Sequence, residues 1–461
     1  MPAPSVKQSP PLPSLRDQSV ERERQLQRAL IAYIVTGLFF MLLPGTFLGV
    51  WNLISISSRH ALESLSPAWL QAHGHAQIFG WIGTFILGIG FYSLSKMGKL
   101  PPFAVWRAWA TLVLWAAGTA LRWIAGVSEW QWRVLLPVSA LLELSGFLIF
   151  FRTVSGHRAA GESARRKPEP WMLMVVGSTL GFLASLVLNA VEAFRVSWQA
   201  NGPALPQVFD QRLVALETWC FLAVAIWGFN ARWLPIFLGL REPDGKLLLT
   251  ALGLVWAAVL SGFAGASIIS ALLLPVAAVT ALFAVRVWHK PVRAAKTSGV
   301  HPSFPWFIRI AYGWLLIAGV LWIAAAWADH GGGIWGAARH ALTVGFISTM
   351  VFSIGQRILP AFGEARILYR PWLMFASLAA LTLGCALRVS AEIPAYEANS
   401  KLAWHVLPCS GVIELLAVTL FAANLFATFL RPPAHLIAGE NSSTGQHDRL
   451  TARSVGRSGR F

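Results

Sequence analysis

Apolar runs recur along this chain almost without interruption from residue 29 to residue 429, separated by short stretches that hold Pro, Gly and charged residues. Each run is roughly 20 residues long, enough to cross the hydrocarbon core of a bilayer as a helix. A segment in lipid has to satisfy its own backbone N–H and C=O groups, which selects a helix over an open strand. The pattern predicts twelve spans, at 29–50, 72–95, 104–125, 131–152, 171–192, 211–235, 247–264, 267–288, 304–327, 336–359, 371–392 and 402–429. The expected fold class is all-α: a polytopic membrane protein with twelve transmembrane helices in one membrane domain over 29–430. Residues 1–28 read as a disordered basic tail and residues 431–461 as a second one, rich in Ser and Arg.

Composition agrees with that pattern. The chain is 56% hydrophobic and only 12% charged, against about 25% charged in soluble domains. Its net charge of +17 raises the question of nucleic acid, and the placement of the charge answers it. The two tails and the five loops that alternate with them hold 29 of the 37 Lys and Arg, and the other six loops hold 8. The positive-inside rule then puts both termini in the cytoplasm, where the basic residues face anionic membrane lipid. No nucleic-acid partner is expected. The three cysteines, Cys220, Cys385 and Cys409, all fall within apolar runs, so no external disulfide framework is implied. The N-terminus lacks the small-residue cleavage site of a removable signal.

Four of the eleven histidines open predicted spans: His73, His75, His340 and His405. Those spans all run from outside to inside, so topology places the four imidazoles in one layer near the outer face. Ionisable groups at that depth are costly unless they have a partner, and converging imidazoles are what a metal cofactor needs. His340 opens R-H-A-L-T-V-G-F-I-S-T-M, and its best partner lies upstream in A-H-G-H-A-Q-I-F-G-W. The expectation is that these two helix mouths meet and hold haem, through His340 and either His75 or His73. Any one of these histidines, taken alone, has a plainer reading as a solvated imidazole or one capped by a backbone carbonyl. His73 and His75 stand about 200° apart around a regular helix, so both reach one metal only if the backbone breaks at Gly74.

Other polar residues share that layer. His405 and Cys409 lie four apart on one face, a pair that suits copper or zinc, or else a small buried thiol beside a helix-capping imidazole. Arg122 and Arg388 could pair with haem propionates. Glu192, Arg195, Arg212, Glu217 and Glu392 lie at the same level, with Arg388 and Glu392 spaced to pair on one helix. Glu143 and Glu414 lie deeper, where a carboxyl either relays protons or stays protonated.

Together these segments resemble the NnrS family. The resemblance rests on H-A-L-T-V-G-F-I-S-T-M from His340, on H-x-H followed by F-G over His73–Gly80, and on R-x-x-P-x-F from Arg232 to Phe237. It implies a bacterial inner-membrane protein whose bundle is distantly similar to haem–copper oxidase subunit I. It further implies haem b and copper as cofactors, nitric oxide as a ligand, respiratory or quinol electron donors as partners, and a part in the response to nitrosative stress. Residues 211–264 contain no histidine, so the copper ligands an oxidase needs on the sixth and seventh spans are missing, and a binuclear oxygen-reducing centre is not expected. Two other readings stand beside this one: a twelve-span secondary transporter, and a bis-His haem electron-transfer accessory subunit.

Overall fold

A computed structural model describes residues 15–61, 65–97, 103–158, 168–362 and 366–431. The described residues form twelve helices long and apolar enough to cross a membrane: α1 (Gln18–Arg59), α2 (Pro67–Ser93), α3 (Trp106–Ser128), α4 (Trp132–Gly156), α5 (Pro170–Gln199), α6 (Gln207–Phe237), α7 (Gly245–Phe263), α8 (Ser267–Val285), α9 (Phe304–Ala328), α10 (Gly333–Phe362), α11 (Pro371–Ala398) and α12 (Lys401–Leu430). All twelve correspond to the predicted spans, and the chain is a multi-pass membrane protein. The largest difference lies at the start. Residues 15–28, expected within a disordered tail, are helical and continue into the first span. That segment is rich in Glu, Arg and Gln, good helix formers, and Gln25 and Gln27 donate one turn back to Glu21 and Glu23 at 3.3 and 3.4 Å. The rest of both tails lies outside the described residues.

Three helices are buried far more than the others. In α2, α6 and α10, 72, 78 and 67% of the most apolar window is covered by protein, against 28–50% in the other nine. Each inner helix is followed by an outer antiparallel pair, α3 with α4, α7 with α8 and α11 with α12, and α12 packs back on α1 to close the ring. Across the centre α6 touches α10.

Each inner helix carries one wide π-turn, at Ala76–Gly83, Leu216–Ala223 and Ala341–Ser348. Each ends on an i→i−5 bond: Thr84 N–H to Phe79 O, Val224 N–H to Trp219 O, Thr349 N–H to Val344 O. A π-turn departs from the regular helical ladder, and side chains add bonds to its carbonyls. Trp115 Nε1 donates to Phe79 O at 3.1 Å, Ser178 Oγ to Phe221 O at 2.8 Å and Ser348 Oγ to Thr343 O at 2.8 Å. A fourth π-turn, Met41–Phe47, contains Pro44 and lies in α1. The residue just before the turn is His75 in α2, Ala215 in α6 and His340 in α10.

Candidate functional site

The position of His340 is set by how α10 begins. The chain enters α10 through Asp329, His330 and three glycines, and Gly332 takes φ 83°, a left-handed value that glycine adopts without strain. The Glu397 carboxylate accepts from the N–H of His330 at 3.1 Å and from those of Gly331 and Gly333 at 3.0 Å. Asp329 accepts from Ile334 and Trp335 at 3.2 and 3.4 Å. Burial, and then the neighbouring Glu397, push Asp329 above the usual carboxylate range. Five donors at the helix start thus have acceptors.

Two turns later, His340 Nδ1 lies 2.8 Å from Gly336 O and 3.0 Å from Glu392 Oε2. Its Nδ1–H donates to the carbonyl, and the carboxylate stands beside the same nitrogen at ion-pair distance. Glu392 reaches this place only because residue 336 is glycine: a Cβ there would collide with the Glu392 carboxylate. Arg388 pairs with Glu392, Nε to Oε2 at 3.3 Å, as the spacing predicted. The Cys385 thiol donates to the carbonyl of His340 at 3.8 Å.

α2 does not break at Gly74, and a regular helix runs from Pro67 to His75. The two imidazoles accordingly serve different compartments. His73 faces α1, with Nδ1 2.9 Å from Gly45 O, a carbonyl of the fourth π-turn. Its ring lies against Gly49, where a Cβ would stand 2.5 Å from Cε1. His73 is within electrostatic range of His340 and Arg388, and Glu414 of α12 is in range of the same two residues. His75 faces α3 and α4 instead. Its Nε2 lies 2.7 Å from Glu143 Oε1, the Thr119 hydroxyl donates to that oxygen at 3.1 Å, and the ring stacks on Phe79 at 4.5 Å. Arg122, 5% exposed, shares this second compartment with Glu143, Asp210 and Glu217. The structure thus gathers His73, His340 and Arg388 in one compartment and places His75 and Arg122 in the next.

Sequence reasoning missed one relationship. G-T-A-L-R at 118–122 returns as G-C-A-L-R at 384–388, and S-A-L-L-E at 139–143 returns as S-G-V-I-E at 410–414. Each glycine seats its acid: a Cβ on Gly118 would stand 2.7 Å from Glu143 Cγ, and one on Gly384 would stand 2.6 Å from Glu414 Cγ. The first and third helix triads therefore repeat one unit of His, Arg and Glu, whereas the middle triad has Ala215 at the histidine position. The signal was in the sequence, at a separation of over half the chain, where a search for short periods does not find it. In both units a buried Nη1 of the arginine (Arg122, Arg388) and one carboxyl oxygen (Glu143 Oε2, Glu414 Oε1) lack a hydrogen-bond partner.

The expected copper pair does not form a buried site. His405 and Cys409 do share a face of α12, but both are exposed on the outside of the bundle, and His405 Nδ1 bonds Lys401 O at 2.7 Å. The spacing fixed which residues share a face and was silent on where that face points. Among the described residues, no group of three or more His, Cys, Asp or Glu is placed to hold a metal ion.

The family model described as NnrS protein matches residues 30–432. The chain belongs to the NnrS family. Among solved structures, this NnrS chain is similar to a haem–copper terminal oxidase dimer determined by cryo-electron microscopy, with a TM-score of 0.69 and 13% identity over 89% of this chain and 85% of that one. At that identity the likeness shows a shared fold. A comparison with curated protein sequences finds no match.

Proposed function

We propose that this NnrS chain binds haem b near the outer face of the bacterial inner membrane and meets nitric oxide there as part of a response to nitrosative stress, with both termini in the cytoplasm. The observation that carries the reading is the state of two imidazoles. His73 and His340 each hold Nδ1 against a backbone carbonyl, and neither Nε2 has a polar partner among the described residues. Fixing the tautomer through Nδ1 is how proteins aim an imidazole at a metal. The free Nη1 of Arg388 suits a propionate carboxylate. Family membership and the oxidase-like fold support the same cofactor.

These residues fit haem, which His73 and His340 would hold through Nε2. When bound, haem would supply an iron that takes a diatomic ligand and exchanges one electron. The chain's own part is to aim and shield. The cap formed by Asp329 and Glu397 fixes the start of α10, Glu392 polarises His340, and farther along the helices Trp81, Phe352 and Phe421 pack together in the apolar core. A respiratory or quinol donor is the electron source this reading requires. Oxygen reduction is not part of this reading, since residues 211–264, the sixth and seventh spans, hold no histidine.

The test is a reduced-minus-oxidised spectrum of the purified protein, made with ample haem, beside His340→Ala, His73→Ala and His75→Ala. A haem b spectrum altered or lost in the first two and kept in the third is the expected result. A colourless wild type would sink the reading and favour the transporter.

A further inference from the structure

We propose that the two imidazoles are unequal ligands: His340 is the one that holds, and His73 is the one that yields to open a coordination position. This inference rests on the haem reading above. It answers a difficulty within that reading, because a site closed by two histidines leaves no place for nitric oxide.

The inequality lies in what each Nδ1–H meets. At His340 the Nδ1–H donates to Gly336 O at 2.8 Å, and the Glu392 carboxylate stands 3.0 Å from the same nitrogen. A negative charge beside the ring makes Nε2 a stronger donor. At His73 the proton meets one neutral carbonyl, Gly45 O at 2.9 Å. The supports differ in the same sense. His340 is backed by the helix cap on Glu397 and by the Cys385 thiol on its own carbonyl. His73 is followed by Gly74, around which a Cβ would find no atom within 4 Å, so the backbone carrying the ring has space beside it. Its acceptor carbonyl belongs to a π-turn that contains Pro44, where the regular backbone ladder is already interrupted.

Glu392 is then a positioning residue for His340. The repeat in the first triad gives the contrast. There the acid, Glu143, comes from the second outer helix and meets Nε2 of His75, the atom a metal would need. In the third triad the equivalent acid, Glu414, stands back, and Glu392 on the first outer helix takes Nδ1 instead, which leaves Nε2 available.

The experiment uses the full-length haem-loaded protein in detergent, with carbon monoxide as the probe of an open position on ferrous haem. His73→Ala should keep its haem, become five-coordinate, and bind carbon monoxide about tenfold faster or more, the gain expected when a position open less than a tenth of the time becomes always open. His340→Ala should lose most of its haem. Glu392→Gln should fold and keep haem, with a raised midpoint potential. A His73→Ala protein that stays six-coordinate with an unchanged carbon monoxide rate overturns the inference. So does a His340→Ala protein that keeps haem and opens as readily as His73→Ala. A wild type without haem fails at the earlier step and removes the haem reading itself.

Discussion

His75 Nε2 and Glu143 Oε1 stand 2.7 Å apart in a fully buried pocket between α2 and α4. The contact commits the nitrogen of His75 that a metal would need, although His75 matches His340 in its place before a π-turn. This pair is expected to stabilise the bundle. His75→Ala should leave the haem spectrum intact and cost about 1–3 kcal/mol, because Glu143 loses its partner in a dry site. Thermal denaturation in detergent measures the loss, and Glu143→Gln in the His75→Ala background should recover part of it.

Gly336 and Gly74 offer a matched comparison. Gly336→Ala should displace Glu392 from His340 and perturb the haem spectrum, since the new methyl takes the carboxylate's place. Gly74→Ala meets nothing within 4 Å and lies inside a regular helix. It should raise stability by roughly 0.5–1 kcal/mol by restricting the unfolded chain. If both behave alike, steric exclusion at residue 336 is not what seats Glu392.

Glu397 is the acceptor for three backbone N–H groups at the mouth of α10. Glu397→Ala should cost about 1–2 kcal/mol, as the loss of a strong helix cap does. It should also broaden or shift the haem bands, because the start of α10 sets the height of His340. A lowered melting temperature with an unchanged spectrum would show that the cap acts on stability alone.

His405→Ala and Cys409→Ser should leave metal content and the haem spectrum unchanged. Both side chains face outward, so their removal opens no cavity and costs less than about 0.5 kcal/mol. Copper measured by elemental analysis before and after the double substitution decides the point.

The twelve spans were legible because lipid leaves a helix few alternatives, and run length alone identifies it. The layer of histidines was legible too, since depth follows from where each span begins. Direction was not. His73, His75 and His405 each lie within the first nine residues of their helices, yet only the packed bundle shows that His73 turns toward α1, His75 toward α4 and His405 outward. The roles of Gly336 and Gly384 were hidden for the same reason: a glycine's purpose is the side chain it admits, and that side chain arrives from another helix. The helical stretch before residue 29 was overlooked because its Glu, Arg and Gln content also marks a solvated tail.

The π-turns fix these directions in a way that residue identity cannot. Each holds one more residue than a regular helix needs for the same rise, so the C-terminal half of every inner helix is rotated by about 100° relative to its N-terminal half. Losing a single residue from Ala76–Gly83 would swing Trp81, Phe85 and the lower half of α2 around their axis while leaving His73 and His75 where they are. The length of the chain, counted in single residues, therefore encodes the angle between the histidine layer and the aromatic layer beneath it.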